Sequence, residues 1–156
     1  MYYSRQLSCY NFGIHLGDNN TAFMCIWDES IASRGSSEIA SCLFEVINKN
    51  DNMINRKKLI LWSDNCAGQN KNKTLLVFML FLVNMGIFDE IIQKFLVSGH
   101  SFLACDRDFA IIEKRRRVCT NFAPSDLQKM VRTAKLTNPF QVIPMDENHF
   151  FSFKDI

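Results

Sequence analysis

Residues 58–85 read KLILWSDNCAGQNKNKTLLVFMLFLVNM, and this stretch decides the fold class of the chain. Lys58–Ser63 is a short, nearly continuous apolar run, which is typical of a strand buried on both faces of a sheet. Asp64–Lys73 has the composition of a loop, and Thr74–Met85 is apolar nearly all round, which predicts a deeply packed helix. A strand, a loop and a helix in this order predict an α/β domain with a partly parallel sheet.

The residues before this stretch predict a hairpin and a helix. Gln6–Leu16 and Thr21–Trp27 are rich in aromatic and β-branched residues, and a short Gly/Asn turn joins them, which predicts antiparallel strands. A helix is predicted over Ser37–Asn48, followed by a polar loop to Arg56. The helix is predicted because four apolar residues fall on one helical face: Ile39, Leu43, Val46 and Ile47.

The residues after it predict another strand and helix. Gly86 is placed to end the apolar helix. Ile91–Val97 is predicted to be a strand, Ser98–Ser101 a sharp turn, and Phe102–Arg117 a helix. The apolar stripe of that helix consists of Phe102, Cys105, Phe109 and Ile112.

The last part of the chain predicts a helix and an extended tail. Ser125 and Gln128 have capping-box spacing, so a helix is expected from there to about Lys135. Two short extended pieces follow, at residues 139–145 and 150–153. The whole pattern is ββα–βα–βα plus this tail, which predicts a mixed sheet flanked by helices.

Composition bounds the class of protein. The chain has 156 residues, of which 47% are hydrophobic, and this fits a single domain over residues 1–156. We expect its core at about residues 6–117, with the tail at 118–156. The formal net charge of +2 is too small to argue for nucleic acid by itself, so DNA binding must rest on local patches.

The sequence also predicts where the protein resides. Its six cysteines are scattered without a CxxC pair, which indicates a reducing compartment rather than a disulfide framework. Met1–Arg5 is polar and precedes no signal-peptide core. The longest apolar run, Leu75–Val83, is far short of the roughly 20 residues that span a bilayer. We expect a nuclear or cytoplasmic protein that is neither secreted nor in a membrane.

Two aspartates are candidate metal ligands. Asp64 stands at the carboxyl end of a strand, where ligands gather in open α/β sheets, although Asp also commonly opens a turn. Asp106 lies one turn into the helix after the next strand, where the helix dipole alone would favour an acid. Glu113 shares its face. Carboxylates from neighbouring strand ends suit Mg²⁺ or Mn²⁺, which can act in pairs on phosphodiesters.

Basic and polar residues could assist such a site. The helix that carries Asp106 ends in Lys114, Arg115, Arg116 and Arg117. These cations either interact with the helix dipole or contact phosphates together with Lys71 and Lys73. Trp62 is interpreted as a core residue rather than as a base-stacking platform. Accessory polar groups are expected at Asn65, Gln69 and His100. The loop lacks a P-loop pattern, and no small-molecule substrate is expected.

Several sequence blocks, taken in order, carry a resemblance to a known family. They are RGSSEIASC at 34–42, WSDNCAGQNKN at 62–72, SGHS at 98–101, CDRDF at 105–109 and IEK at 112–114. The chain resembles an uncharacterised, transposon-derived domain family widespread in animal genomes. That family looks like a ribonuclease-H-like, acid-triad (DDE-type) transposase core. The resemblance covers nearly the whole chain, and SDNCAGQNKN is its most specific part.

The resemblance implies roles for the acids. In the ribonuclease-H-like fold the acids stand on the first strand, on the fourth strand and on the helix after the fifth. Asp64 matches the second acid and Asp106 the third, with Glu113 or Asp108 as other choices. The implied ancestral activity is two-metal phosphoryl transfer on DNA, with Mg²⁺ or Mn²⁺ held by Asp64, Asp106 and Glu113.

The chain also departs from the family pattern. Only two strands precede its first helix, and they match the second and third strands of the fold. The family carries its first acid in a segment upstream of Tyr2–Leu7. We therefore expect the first strand to be missing and the ancestral activity to be lost with its acid. An oligomer or a separate N-terminal segment would then pair the sheet. The alternative function is a non-enzymatic module that binds nucleic acid or a partner chain.

Overall fold

The computed structural model describes residues 7–97, 102–118 and 123–153. The chain divides into two compact units, each built from separate pieces of sequence. Unit 1 comprises Met1–Ser33 and Cys105–Asn148, and unit 2 comprises Arg34–Ala104 and His149–Ile156. Each unit holds its own sheet and helices. The chain is therefore an α/β protein, as the sequence predicts.

The described elements follow one another in an order close to the predicted one. They are β1 (Cys9–His15), β2 (Ala22–Asp28), α1 (Ser36–Lys49), α2 (Asp51–Ile54), β3 (Lys58–Ser63), α3 (Lys73–Asn84), β4 (Glu90–Phe95), α4 (Ala104–Arg116), α5 (Pro124–Thr133) and β5 (Gln141–Pro144). The short helix α2 lies in the segment that we expected to be a loop. The turn predicted at Ser98–Ser101 lies outside the described residues. No helix within the described ranges has the length and apolar character needed to cross a membrane.

Unit 1 contains a mixed three-stranded sheet in the order β1–β2–β5. The strands β1 and β2 are antiparallel, with Phe12 opposite Cys25, so the predicted hairpin is confirmed. β5 lies parallel to β2 on its other side. The extended piece predicted at residues 139–145 is confirmed as a strand, and its pairing with β2 makes this part of the tail a member of the sheet.

One face of this sheet packs against α4 and α5. Buried side chains from β2, from the two helices and from the segment before β5 form the core: Ala22, Met24, Ile26, Ile112, Met130, Val131 and Phe140. A Cβ atom on Gly13 would stand 2.9 Å from Cζ of Phe109. The missing side chain of Gly13 therefore lets α4 approach β1 closely.

The helices of unit 1 differ in detail from the prediction. α5 begins with Pro124 at its first position, where a missing N–H costs nothing. The backbone N–H of Ala123 donates to the carboxylate of Asp126 at 3.1 Å, so the predicted box of Ser125 and Gln128 is wrong by two residues. The predicted stripe of α4 is only partly buried, because Ile112 is buried while Phe102 is largely exposed.

Unit 2 is held together by an aromatic cluster between α1, α3 and the C-terminal segment. The ring of Phe44 lies 6.5 Å from Phe78 and 5.9 Å from Phe151, and Phe78 lies 5.4 Å from Phe153. The hydroxyl of Ser41 accepts from the backbone N–H of Phe151 at 3.0 Å. These contacts fix the described end of the chain to the two helices.

The two strands of unit 2 are parallel, with α3 as the connection between them. Their register places Lys58 opposite Glu90 and Trp62 opposite Lys94. The bounds predicted for β3 are confirmed, but the prediction that both of its faces are buried is wrong, since Ile60 and Trp62 are 47% and 55% exposed. The apolar run of six residues does not predict whether one face of the strand or both are covered by other elements.

The prediction that α3 is deeply packed all round is also wrong. One side of this helix is buried through Leu75, Phe78 and Leu82. The other side carries large apolar residues in contact with solvent, which include Leu76, Leu80 and Met85. The sequence carries no charge over Thr74–Gly86 and so does not distinguish the two sides.

Candidate functional site

Asp64 directly follows β3 and organises the loop that it opens. Its exposed carboxylate accepts from the backbone N–H of Cys66 at 3.1 Å and from Nδ2 of Asn70 at 2.5 Å. This is the Asx-turn geometry in which an aspartate fixes the backbone two residues on. One oxygen of the expected metal ligand therefore already has two partners within its own loop.

Further hydrogen bonds fix the rest of the loop between β3 and α3. The carbonyl of Cys66 accepts from the backbone N–H groups of three later residues: Gln69, Asn70 and Lys71. Asn72 caps α3 by accepting from the N–H of Leu75 at 3.1 Å and donates through Nδ2 to the carbonyl of Ala67 at 3.2 Å. Gln93 of β4 donates to the carbonyl of Asn70 at 2.7 Å. The loop is thus tied to both neighbouring elements and holds Lys71 in a defined place.

Two lysines at this end of the β3–β4 pair lie over aromatic rings. Nζ of Lys71 stands 5.3 Å from the centre of the Phe95 ring, and Nζ of Lys94 stands 4.9 Å from the centre of the Trp62 ring. Both distances are within the range of cation–π attraction. In the described part of the chain, neither these two lysines nor Lys73 form a salt bridge with a carboxylate. They therefore carry positive charge that the described residues leave uncompensated.

The position of Trp62 corrects the sequence interpretation. We expected a core residue, but the side chain is 55% exposed and lies on the open face of β3. No signal in β3 alone reveals this, because Trp62 ends an apolar run. The facing residue Lys94 is the only hint in the sequence, and it becomes visible once the register of the two strands is known.

The remaining predicted site residues are distributed over both units. Asn65 is exposed and Gln69 is half-buried in the loop of unit 2. Asp106 and Glu113 are exposed on α4 in unit 1, so the convergence of Asp64 with Asp106 stays a prediction. His100 lies outside the described residues.

The basic residues at the end of α4 form ion pairs with Glu113 of the same helix. Glu113 lies 3.8 Å from NH1 of Arg116 and 3.9 Å from Nε of Arg117. Lys114 and Arg115 complete the exposed last turn. This arrangement agrees with the interpretation of these cations as partners of the helix C-terminus. Their contact with phosphates stays a prediction.

Asp108, the other choice for the third acid, is a buried group with a defined partner. Its Oδ2 lies 2.7 Å from Nδ1 of His15, and the two side chains are 3% and 14% exposed. Nε2 of the same ring faces Oδ1 of Asn20 at 3.4 Å. The pair joins α4 to the end of β1. Sequence reasoning missed it because 93 residues separate the partners.

Cys105 lies next to this pair and covers the edge of β1. Its thiol donates to the carbonyl of Gly13 at 3.5 Å. Burial raises the pKa of the Cys105 thiol above its ordinary value of 9.0, and the negative charges of Asp108 and Asp106 raise that pKa further. A thiol that resists ionisation is a poor nucleophile, so Cys105 has a packing role.

A divalent ion needs several donor atoms that are grouped in space. Within residues 7–97, 102–118 and 123–153, no three His, Cys, Asp or Glu side chains are grouped so that they could hold a metal ion. At Asp64 the described residues offer a single carboxylate. These residues do not make a metal site by themselves, and binding of Mg²⁺ or Mn²⁺ stays a prediction.

Comparison with known proteins identifies a family without assigning a function. Neither the curated proteins nor the solved structures contain a match to this chain. The family described as "Domain of unknown function (DUF7869)" matches residues 3–155. Because that match covers nearly the whole sequence, the chain belongs to the DUF7869 family.

Proposed function

We propose that this chain is a non-enzymatic nucleic-acid-binding module of ribonuclease-H-like ancestry. Its phosphate contacts come from the lysine cluster, which we define as Lys71, Lys73 and Lys94. The observation that carries the proposal is the charge of this cluster. Lys71 and Lys94 lie over rings on opposite faces of a parallel strand pair near its carboxyl end, and Lys73 begins the helix that follows. None of the three forms a salt bridge with a described carboxylate.

The chemistry of the cluster suits a polyanion. Phosphate contacts of lysine dominate non-specific nucleic-acid binding, because each contact releases condensed counterions. The acid nearest in sequence to Lys71 and Lys73, Asp64, directs one oxygen to its own loop. In α/β proteins, ligands gather at the carboxyl ends of parallel strands, and both cation–π pairs lie at that end.

The order and direction of the strands support the proposed ancestry. An antiparallel hairpin precedes the first long helix, and a parallel β3–β4 pair with a helical connection follows it. A ribonuclease-H-like sheet would place one more strand between the hairpin and that pair. In the described residues the strands form two sheets, a mixed three-stranded one and a parallel pair.

Phosphate binding is tested by a salt titration. We expect the double variant Lys71→Ala/Lys73→Ala to weaken oligonucleotide binding and to reduce the slope of log K against log salt by about 0.7–0.9 per lysine. The matched control is Lys57→Ala/Lys129→Ala, which removes the same charge elsewhere. Fluorescence anisotropy with a labelled oligonucleotide measures both. Equal losses in the two double variants would show that only net charge matters and would refute the proposal.

The enzymatic alternative has its own assay. A supercoiled plasmid is incubated with the protein and Mg²⁺ or Mn²⁺, and nicking is compared between the wild type and Asp64→Ala. We expect no metal-dependent nicking above background in either protein. Nicking by the wild type that Asp64→Ala abolishes would establish phosphoryl transfer and overturn the non-enzymatic assignment.

A further inference from the structure

The open face of the β3–β4 pair combines an exposed aromatic ring with an uncompensated cation. We define this open face by the side chains that share it: Lys58, Ile60, Trp62, Glu90, Ile92 and Lys94. At one end, Lys58 and Glu90 form an ion pair at 3.2 Å. At the other end, Lys94 lies over Trp62. The positive charge of this face is therefore concentrated beside the indole ring.

The location of Trp62 is unusual for a residue of its size. The largest aromatic side chain gains most from burial, yet Trp62 is 55% exposed whereas Trp27 is 3% exposed. Trp62 stands on a strand rather than on a loop, and β3 is paired along its whole length with β4. The ring is thus presented to solvent on a rigid support with an apolar neighbour, Ile60, two residues earlier on the same face.

We propose that Trp62 is a stacking platform for a base of single-stranded nucleic acid, with Lys94 contacting the adjacent phosphate. This inference rests on the nucleic-acid binding proposed above, and it adds that the ligand is single-stranded rather than double-stranded nucleic acid. A base stacks on any aromatic face, whereas the bases of a duplex are already stacked on each other and cannot reach a ring on a sheet surface. An incoming base replaces Lys94 over the ring, and the ammonium group moves to the phosphate.

The charge distribution favours this occupant over a protein partner. The centres of protein interfaces are depleted in charged residues, but Lys94 lies directly over the Trp62 ring of this face. The other cation of this face, Lys58, is paired with Glu90, and Lys71 lies over Phe95 on the opposite face of the strand pair, so Lys94 is the cation beside Trp62. An exposed ring with a lysine beside it matches the combination of stacking and phosphate contact that binds single strands.

The intrinsic fluorescence of the protein supplies the test. The chain has two tryptophans, and the buried Trp27 serves as an internal reference. We titrate an oligothymidylate and a hairpin duplex of equal length and follow the emission. We expect the single strand to quench the Trp62 share of the emission and the duplex to quench it little. Trp62→Phe should lose the quenching yet keep most of the affinity, whereas Trp62→Ala should bind roughly tenfold more weakly.

The control and the outcomes separate the two proposals. Leu80→Ala removes an exposed apolar side chain of unit 2 outside this face and should leave binding unchanged. Tight binding without quenching, with Trp62→Ala equal to the wild type, would overturn this inference and leave the lysine cluster standing. Quenching by protein concentration alone would indicate a second copy on the face and would overturn it too. An absence of all binding would overturn both proposals.

Discussion

Removal of the Asp108 carboxylate should destabilise unit 1 more than any change at its surface. The carboxylate is 3% exposed and accepts from Nδ1 of His15 at 2.7 Å, and that ring is 14% exposed. In Asp108→Ala the imidazole loses its acceptor and stays mostly out of water. Removal of one partner from a buried pair costs about 3–5 kcal/mol, and one charge-assisted hydrogen bond contributes about 1.5–3 kcal/mol.

The geometry places the expected loss closer to the value for one hydrogen bond than to the value for a fully buried pair. The ring is not fully buried, and its Nε2 faces the exposed Asn20, so it can turn partly toward solvent. We expect Asp108→Ala to lower the free energy of unfolding by about 2–3 kcal/mol. At about 2–4 °C per kcal/mol for a chain of this size, the midpoint should fall by about 4–12 °C. Asp108→Asn keeps an acceptor oxygen and should cost about 1 kcal/mol.

The assay follows unit 1 by its own tryptophan. Trp27 lies in unit 1 and Trp62 in unit 2, so urea unfolding in a Trp62→Phe background reports unit 1 through the emission of Trp27. The matched control is Glu113→Ala on the same helix, whose exposed ion pairs with Arg116 and Arg117 should contribute less than about 1 kcal/mol. If Asp108→Ala unfolds within about 0.5 kcal/mol of that control, the buried pair does not stabilise the unit and the reasoning fails.

Three further perturbations are predicted from single features. Gly86 has a φ of +72°, in the left-handed region that disfavours a side chain, so Gly86→Ala should lower the free energy of unfolding in urea by about 1 kcal/mol. Gly17 has an ordinary φ and open space around it, so Gly17→Ala should lower it by almost nothing. Equal losses in the two variants would show that the left-handed backbone at Gly86 is not the cause. Burial raises the pKa of Cys105 above 9.0, so the folded state keeps this proton longer. The contribution of this protonated thiol to stability is complete below pH 9 and is lost as the pH rises through the folded-state pKa. If the free energy of unfolding of Cys105→Ala falls with pH above 9 as steeply as that of the wild type, this prediction is refuted. Ser41 is fully buried and its hydroxyl accepts from Phe151 N–H, so Ser41→Ala should cost about 1–2 kcal/mol and speed hydrogen exchange of that amide, and unchanged exchange would show that the bond is not formed.

The fold class was accessible from the sequence where local pattern decides the structure. The Gly/Asn turn and the flanking aromatic residues predicted the β1–β2 hairpin, and the run Lys58–Ser63 predicted β3 to the residue. The partners of these strands were less accessible. The pairing of β5 with β2 joins residues more than a hundred positions apart. The four-residue β5 has no sequence pattern that predicts which strand it pairs with.

The candidate site was accessible only in part, for a related physical reason. The lysines Lys71 and Lys73 stand out in a polar loop, and Asp64 stands out at a strand end. The exposure of Trp62 depends on which elements cover the β3–β4 pair, and its contact with Lys94 depends on the register of that pair. The His15–Asp108 pair depends on how α4 lies against β1, where Gly13 permits a close approach. All three of these features depend on tertiary packing, which the periodicity of the sequence does not predict.

The division of the chain into interleaved pieces has a consequence for its synthesis and its engineering. The backbone passes from one unit to the other after Ser33, after Ala104 and after Asn148. A ribosome must therefore release β5 before the sheet of unit 1 can close, and it must release Phe151 and Phe153 before the aromatic cluster of unit 2 is complete. Neither unit can be excised as one contiguous fragment. A stop codon placed between residues 145 and 151 would remove both Phe151 and Phe153 from the aromatic cluster of unit 2, although unit 1 would keep its three described strands.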